Sequence, residues 1–191
     1  MTIIFFLYNL DRMTILFIDT SQKEPLLGLI IKNKIACIRT GSNKPLSQEL
    51  FPLIQELLEE TGIEKTKLQA IAVGIGPGSF NGSRTGAVVG MSLAFGLKIP
   101  CINCPSPIVY LGEVEGEFFT SVKGKKDAYA MKGRLNFPTL QIDFEGFIPL
   151  EEAPETAVVN KNLYTPLCLY IMQKFNQKKF QQIPEMIYFH A

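Results

Sequence analysis

Short apolar runs separated by polar, turn-forming residues dominate the first third of the chain. Residues 14–18, 26–31 and 35–39 are rich in β-branched and aromatic side chains, a composition typical of strands. Asn33-Lys34 is suited to a tight turn between the second run and the third. Because the connections are short, the pattern predicts an antiparallel meander of three strands.

Helical spacing of apolar positions follows the meander. Residues 50–58 repeat apolar side chains three and four positions apart, which predicts a helix with one buried face that ends at Gly62. We expect Ser47 to be its N-cap, with Pro52 marking either a later start or a kink. The nearly continuous apolar run at residues 70–75 then predicts a central strand buried on both faces.

A second helix is predicted to follow the Pro77-Gly78 turn and to end near Leu97, before a short strand near residues 101–104. The predicted order is therefore β-β-β-α-β-α-β. Three antiparallel strands followed by alternating helices and strands indicate an α/β fold, a mixed sheet with flanking helices.

The remainder of the chain is predicted to form a smaller, divergent lobe. We place a boundary near Gly112, so that residues 13–112 form an N-terminal lobe and residues 113–191 a C-terminal one. Strands are expected at residues 118–122, 127–132 and 140–144, and a helix at residues 163–176.

Composition limits the classes of function. The chain has 191 residues, of which 47% are apolar, so it can bury a core. Its 19 basic and 18 acidic residues leave a net charge of +1. A chain with so balanced a charge lacks the positive surface that nucleic-acid binding requires. If RNA is involved, another subunit is expected to supply that surface.

The N-terminal residues and the cysteines bear on cellular location. Residues 1–12 are mostly apolar but too short to cross a bilayer and lack the features of a signal peptide. Because Met13 directly precedes a strand, we expect residues 1–12 to be an extension from a start-site artefact. Four scattered cysteines without a secretory signal are typical of a cytoplasmic protein with reduced thiols.

The Cys101-Ile102-Asn103-Cys104 spacing suits either a metal or redox pair or two small residues in a buried strand. No second pair stands at a matching distance, and the only histidine is His190. We therefore favour the buried strand and predict no metal site and no metalloprotease chemistry.

Glycines recur every four residues in the second predicted helix. Gly82, Gly86 and Gly90, followed by Ala94, lie along one helix face. Each glycine costs about 1 kcal/mol of helix stability relative to alanine, so close approach of another backbone must offset that cost. The approaching element is either a helix of the same molecule or another chain, and the apolar character of the whole helix favours another chain. On that interpretation, Gly82→Leu or Gly86→Leu blocks pairing while the monomer stays folded.

Three segments resemble the TsaB family, also called YeaZ. They are Asp19-Thr20-Ser21 after the first strand, Ser47 with Leu50-Phe51-Pro52 at the first helix, and Gly-Pro-Gly-Ser-Phe-Asn-Gly-Ser-Arg-Thr-Gly at residues 76–86. The third segment matches eight of the eleven positions of the family's G-P-G-S-F-T-G-L-R-I-G. The resemblance covers residues 13–107. The family's Asp-Ala-Arg motif of the second half is largely missing here.

The resemblance implies an actin-like ATPase or ribonuclease-H-like fold with a reduced second lobe. It also implies a non-catalytic subunit that pairs with TsaD and with the ATPase TsaE to make threonylcarbamoyladenosine at position 37 of tRNA. TsaD carries the metal and the transfer chemistry, and TsaB forms a homodimer when TsaD is absent. No cofactor of its own is implied, although ATP or ADP is expected at the complex interface, and tRNA contacts are expected only through the complex.

The candidate residues form two groups, and neither is catalytic. The predicted partner interface comprises Gly76, Pro77, Gly78, Ser79, Phe80, Gly82, Arg84, Gly86 and Gly90. Possible nucleotide-binding residues are Asp19, Thr20 and Ser21. An alternative function is an ATP-binding phosphotransferase or ATPase that holds phosphate between Asp19–Ser21 and the turn at residues 76–78. Against it, a lone Asp after a strand is most often a turn residue that bonds its own backbone.

Overall fold

Five strands form the first sheet of the computed structural model, which describes residues 13–32, 34–42, 44–154, 165–180 and 186–188. The strands are β1 (Thr14–Asp19), β2 (Leu26–Ile31), β3 (Lys34–Thr40), β4 (Ala70–Gly76) and β5 (Cys101–Pro105). Their order in the sheet is β3-β2-β1-β4-β5.

The direction of each strand follows from its connection. Short turns join β1, β2 and β3, which pair antiparallel. Helix α1 (Leu46–Thr61) and helix α2 (Phe80–Leu97) provide the crossovers to β4 and β5, and β4 pairs parallel to both β1 and β5. The predicted β-β-β-α-β-α-β order and mixed sheet are confirmed.

The start of α1 differs from the prediction. The helix begins at Leu46, and its N-cap position is Pro45, which makes no side-chain capping bond. Ser47 therefore lies inside the first turn and is not the N-cap. Pro52 sits within the helix, where the buried apolar face compensates for the hydrogen bond that proline cannot donate. Gly62 ends the helix as predicted, with a left-handed φ of 66°.

The second half forms an antiparallel sheet in the order β6-β7-β8. Its strands are β6 (Gly116–Lys123), β7 (Asp127–Asn136) and β8 (Thr139–Pro149). All three extend beyond the predicted ranges, because β7 and β8 pair along nearly their whole lengths up to a short turn. The short helix α3 (Ser106–Val109) precedes this sheet, and α4 (Thr165–Asn176) follows it. The first two residues of the predicted range 163–176 lie outside the described residues.

The central strands β1 and β4 are buried on both faces of the first sheet. Leu16 and Ile18 of β1 belong to a cluster with α1 and α2, whereas Ile15 and Phe17 belong to a cluster with α3, α4 and the second sheet. This division follows from the alternation of side chains along a strand. The two halves of the chain therefore share a hydrophobic core, and the division into two lobes near Gly112 stays a prediction.

Helix α2 packs on this chain's own sheet through its glycine face. A Cβ atom built on Gly82 would lie 2.1 Å from the carbonyl oxygen of Thr20, and one on Gly86 would lie 2.2 Å from the Thr20 hydroxyl. A Cβ atom on Gly90 would lie 2.2 Å from Cγ1 of Val73 in β4. The close approach inferred from the spacing is confirmed, but the approaching groups are a turn and a strand of the same molecule. Attributing the glycine row to another chain was therefore wrong.

This packing predicts opposite effects for two glycines of one helix. Gly82→Ala should lower the free energy of unfolding by about 1–3 kcal/mol, because the new methyl group meets backbone. Gly96→Ala should raise it by about 0.5–1 kcal/mol, because no neighbouring atom lies within 4 Å of the added Cβ. Urea unfolding followed by circular dichroism measures both. Equal changes in the two variants would contradict the packing described.

Candidate functional site

Asp19 lies in a turn at the carboxyl end of β1. Its Oδ1 accepts the backbone N–H of Ser21 at 2.8 Å, and its Oδ2 accepts the hydroxyls of Ser21 at 3.1 Å and Tyr110 at 2.5 Å. A Cβ atom on Gly74 would lie 2.2 Å from Oδ1, so the backbone of β4 closes the other side of the carboxyl group. The side chain is 1% exposed. The expectation that this Asp bonds its own backbone is confirmed.

Burial controls the protonation of this group. It raises the pKa of Asp19 above its ordinary value of 3.8, against the lowering effect of the hydrogen bonds from Tyr110 and Ser21. Burial also raises the pKa of Tyr110, and the neighbouring Asp19 carboxylate raises it further. The Tyr110 hydroxyl therefore stays protonated at neutral pH and donates its hydrogen bond to Asp19.

Hydrogen bonds join the turn at residues 19–21 to the glycine-rich turn at residues 76–79 and the start of α2. The Thr20 hydroxyl donates to the carbonyl oxygen of Gly82 at 2.6 Å, and the Ser21 carbonyl oxygen accepts the N–H of Ser79 at 2.6 Å. The Ser106 hydroxyl donates to the carbonyl oxygen of Pro77 at 3.0 Å. These bonds hold the ends of β1, β4 and β5 together.

These contacts give the turn at residues 19–21 a structural role. Asp19, Thr20 and Ser21 are all buried, and their polar side-chain atoms bond to groups of the chain itself. A Cβ atom on Gly78 would lie 2.3 Å from the Ser21 carbonyl oxygen, so the two turns are in direct contact. The geometry therefore does not favour a phosphate between them.

The C-terminal segment 186–188 packs against the start of α2. The backbone N–H of Ile187 donates to the carbonyl oxygen of Ile75 at 2.9 Å. Arg84 Nε donates to the Tyr188 hydroxyl at 2.9 Å, and the Arg84 guanidinium carbon lies 3.8 Å from the centre of the Phe80 ring. The rings of Phe80 and Tyr188 lie 4.9 Å apart. Sequence reasoning missed this contact, because nothing in the local pattern links residues 104 positions apart.

The outward side of α2 exposes large apolar residues beside the polar side chains of Asn81 and Ser92. Phe80 is 50% exposed, Val88 56% and Phe95 88%. Val88 and Phe95 lie opposite the glycine face, as their spacing of about 100° per residue requires. Arg84 is the only charged residue in the helix. A row of exposed large apolar residues beside one cation is typical of a surface that contacts another protein.

The structure divides the nine predicted interface residues into two sets. Exposed or partly exposed are Gly78, Ser79, Phe80 and Arg84. Covered by the same chain are Gly76, Pro77, Gly82, Gly86 and Gly90. Direct contact with a partner is thus available to the first set and to Val88 and Phe95. These two were overlooked as surface residues, although their positions opposite the glycines identify them. That this surface pairs with a partner stays a prediction.

Cys101 and Cys104 lie in β5 and are buried, as predicted. Burial raises the pKa of the Cys101 thiol to about 11 and that of Cys104 well above its ordinary value. Both therefore stay protonated thiols at neutral pH. Among the residues that the structure describes, there is no group of three or more His, Cys, Asp or Glu side chains that could hold a metal ion. None of the described helices is both long and apolar enough to cross a membrane.

Comparisons with known proteins agree with these features. A family model described as TsaD, tRNA N6-adenosine threonylcarbamoyltransferase, matches residues 40–115. The tRNA threonylcarbamoyladenosine biosynthesis protein TsaB of Haemophilus influenzae is 29% identical over 127 residues, which is 66% of this chain and 52% of that protein. The protein of the same name from Escherichia coli is 32% identical over 91 residues, which is 48% of this chain and 39% of the relative.

The chain is therefore similar in sequence to proteins named TsaB. The chain spans about half the length of the curated relatives it matches. A solved structure of YeaZ from Pseudomonas aeruginosa superimposes with a TM-score of 0.71 at 20% identity, covering 92% of this chain and all of the other. The chain therefore has the YeaZ fold, which confirms the predicted fold class.

The Asp19 turn of this chain predicts a loss of stability when one oxygen atom is removed. Tyr110→Phe should lower the free energy of unfolding by about 1–3 kcal/mol, because a buried carboxyl group loses a hydrogen-bond donor. Tyr129→Phe is the control, since Tyr129 donates to the exposed carboxylate of Glu145, and it should cost less. Chemical unfolding at neutral pH compares them. A smaller loss of unfolding free energy in Tyr110→Phe than in Tyr129→Phe would contradict a stabilising hydrogen bond from Tyr110 to Asp19.

The raised pKa of Asp19 predicts a pH dependence of known sign. The folded protein keeps the Asp19 proton to a higher pH than the unfolded chain does. Stability from Asp19 is therefore present below about pH 4 and is lost as the pH rises through the folded pKa. Asp19→Asn cannot titrate at this position. The unfolding free energy of the wild type minus that of Asp19→Asn should fall as the pH rises from about 4 to 7, and a rising difference would refute the raised pKa.

Proposed function

We propose that this chain is a scaffold or activating subunit in the synthesis of tRNA N6-threonylcarbamoyladenosine at position 37, pairing with a TsaD-like subunit and a TsaE-like ATPase. The observation that carries this proposal is the outward face of α2. Its glycines are used inside the molecule, whereas Phe80, Val88 and Phe95 face outward. The relatives named TsaB and the TsaD family model support the choice of partner.

A non-catalytic role agrees with the chemistry of the Asp19 turn. Catalysis of phosphoryl transfer needs carboxylates that reach a metal ion or a reacting oxygen. Asp19 is instead enclosed by hydrogen bonds from Tyr110 and Ser21. ATP or ADP would accordingly bind where subunits meet rather than in this turn. Because its net charge is only +1, the chain would contact tRNA only through the complex. The proposed place of action is the cytoplasm.

The pairing surface is tested by two substitutions on α2 and one elsewhere. Val88→Asp and Phe95→Ser should each lower the affinity for the TsaD homologue of the same genome at least tenfold, because a charge or a lost ring disrupts apolar contact. Phe137→Ser is the control, since Phe137 is 73% exposed in the turn between β7 and β8. Co-purification and calorimetry measure pairing, and circular dichroism checks folding.

A functional assay complements the binding assay. The wild type and Phe137→Ser should restore threonylcarbamoyladenosine in a strain depleted of its TsaB, whereas Val88→Asp and Phe95→Ser should not. Mass spectrometry of digested tRNA provides the readout. Undiminished pairing in both α2 variants would refute the interface. ATP hydrolysis by the pure chain that disappears in Asp19→Ala would support the alternative enzyme function.

The same face offers a contact between two copies when the partner is absent. In a symmetric dimer the apolar residues of α2 would meet their counterparts. Light scattering of the chain alone should then show a dimer that Val88→Asp converts to a monomer. A dimer that persists in Val88→Asp would show that copies associate through another surface.

A further inference from the structure

A cavity of about 810 Å³ lies between the two sheets. Its walls come from the ends of β4 and β5, from β7 and β8, from α4 and from the C-terminal segment 186–188. Cavities of this size between packed layers are the usual location of small-molecule sites, whose volumes run from about 300 to 1,000 Å³. It adjoins the start of α2, because Tyr188 of its wall contacts Phe80 and Arg84. Val88 and Phe95, the residues that the pairing test changes, do not line it.

Aromatic rings form much of the cavity wall. Five of them line it: Tyr129, Phe147, Tyr170, Phe180 and Tyr188. Tyr129 and Phe147 meet edge to face, with ring centres 5.0 Å apart and planes at 82°. Rings held in such an arrangement present flat faces and positively polarised edges, which favour a planar ligand over a branched aliphatic one.

The charges of the wall are unequal. Lys174 lies on α4 with its Nζ 4.9 Å from the centre of the Tyr170 ring, and Lys179 follows three residues after the helix. Neither lysine forms a salt bridge with a carboxylate among the residues that the structure describes. The acidic side chain of the wall, Glu145, accepts the Tyr129 hydroxyl at 3.0 Å. The cavity therefore carries more positive than negative charge.

We propose that this cavity binds a small planar organic anion, an aromatic or conjugated ring that bears a carboxylate or a similar acidic group. The Lys174 ammonium pairs with the acidic group, and the aromatic wall packs on the ring. Lys174 is the specificity-determining residue, because the Tyr170 ring beside it holds the ammonium at the wall without neutralising its charge.

The proposal is tested with three small molecules and the 191-residue chain. The probes are 2-naphthoate, its neutral amide 2-naphthamide, and cyclohexanecarboxylate, which is anionic but not planar. Isothermal titration and amide chemical shifts should show saturable binding of 2-naphthoate. The other two probes should bind at least fivefold more weakly.

Two lysine variants locate the site. Lys174→Gln should weaken 2-naphthoate binding about tenfold and leave 2-naphthamide unchanged. Lys132→Gln is the matched control, because Lys132 is an exposed lysine of β7 that does not line the cavity, and it should change neither. Unsaturable binding, equal affinity for naphthoate and naphthamide, or equal loss in both variants would overturn the proposal. Circular dichroism confirms that each variant is folded.

Discussion

The contact of α2 with the first sheet is the constraint on which the rest of the structure depends. Because Gly82 and Gly86 lack side chains, the helix lies against the Thr20 backbone and hydroxyl. That distance brings the turn at residues 76–79 onto the turn at residues 19–21, and it encloses Asp19. Because the glycine face of the helix lies on the sheet, Val88 and Phe95 on the opposite face are exposed.

A buried carboxyl group at the end of β1 has a different meaning here from that in an enzyme with the same strand order. In a catalytic site, such a group would face solvent or a metal ion. Asp19 instead organises its own turn and accepts the hydroxyl of Tyr110 from beyond β5. Our proposals of a partner and a ligand therefore concern the outward face of α2 and the inter-sheet cavity rather than this turn.

Sequence reasoning predicted the elements well where one period dominated. The apolar, β-rich runs of β1 to β4 and the short turns between the first three predicted the order of elements along the chain, and the four-residue glycine spacing predicted close approach of α2. Spacing alone does not say what approaches, so the glycine row was assigned to a partner rather than to Thr20 and Val73. The contact of Tyr188 with Phe80 could not be predicted from the sequence, because it joins residues far apart in the chain.

The two sides of α2 tolerate substitution to different degrees, because the inner side is tightly packed and the outer side is exposed. On the inner side, a single added methyl group at Gly82 meets backbone, so almost no substitution is tolerated there. On the outer side, Val88 and Phe95 touch little of their own chain and can be exchanged at small cost to the fold. Residues on the outer face of such a helix can therefore be substituted without a change in core packing. A designer could therefore retarget this chain by rewriting a few outward residues alone.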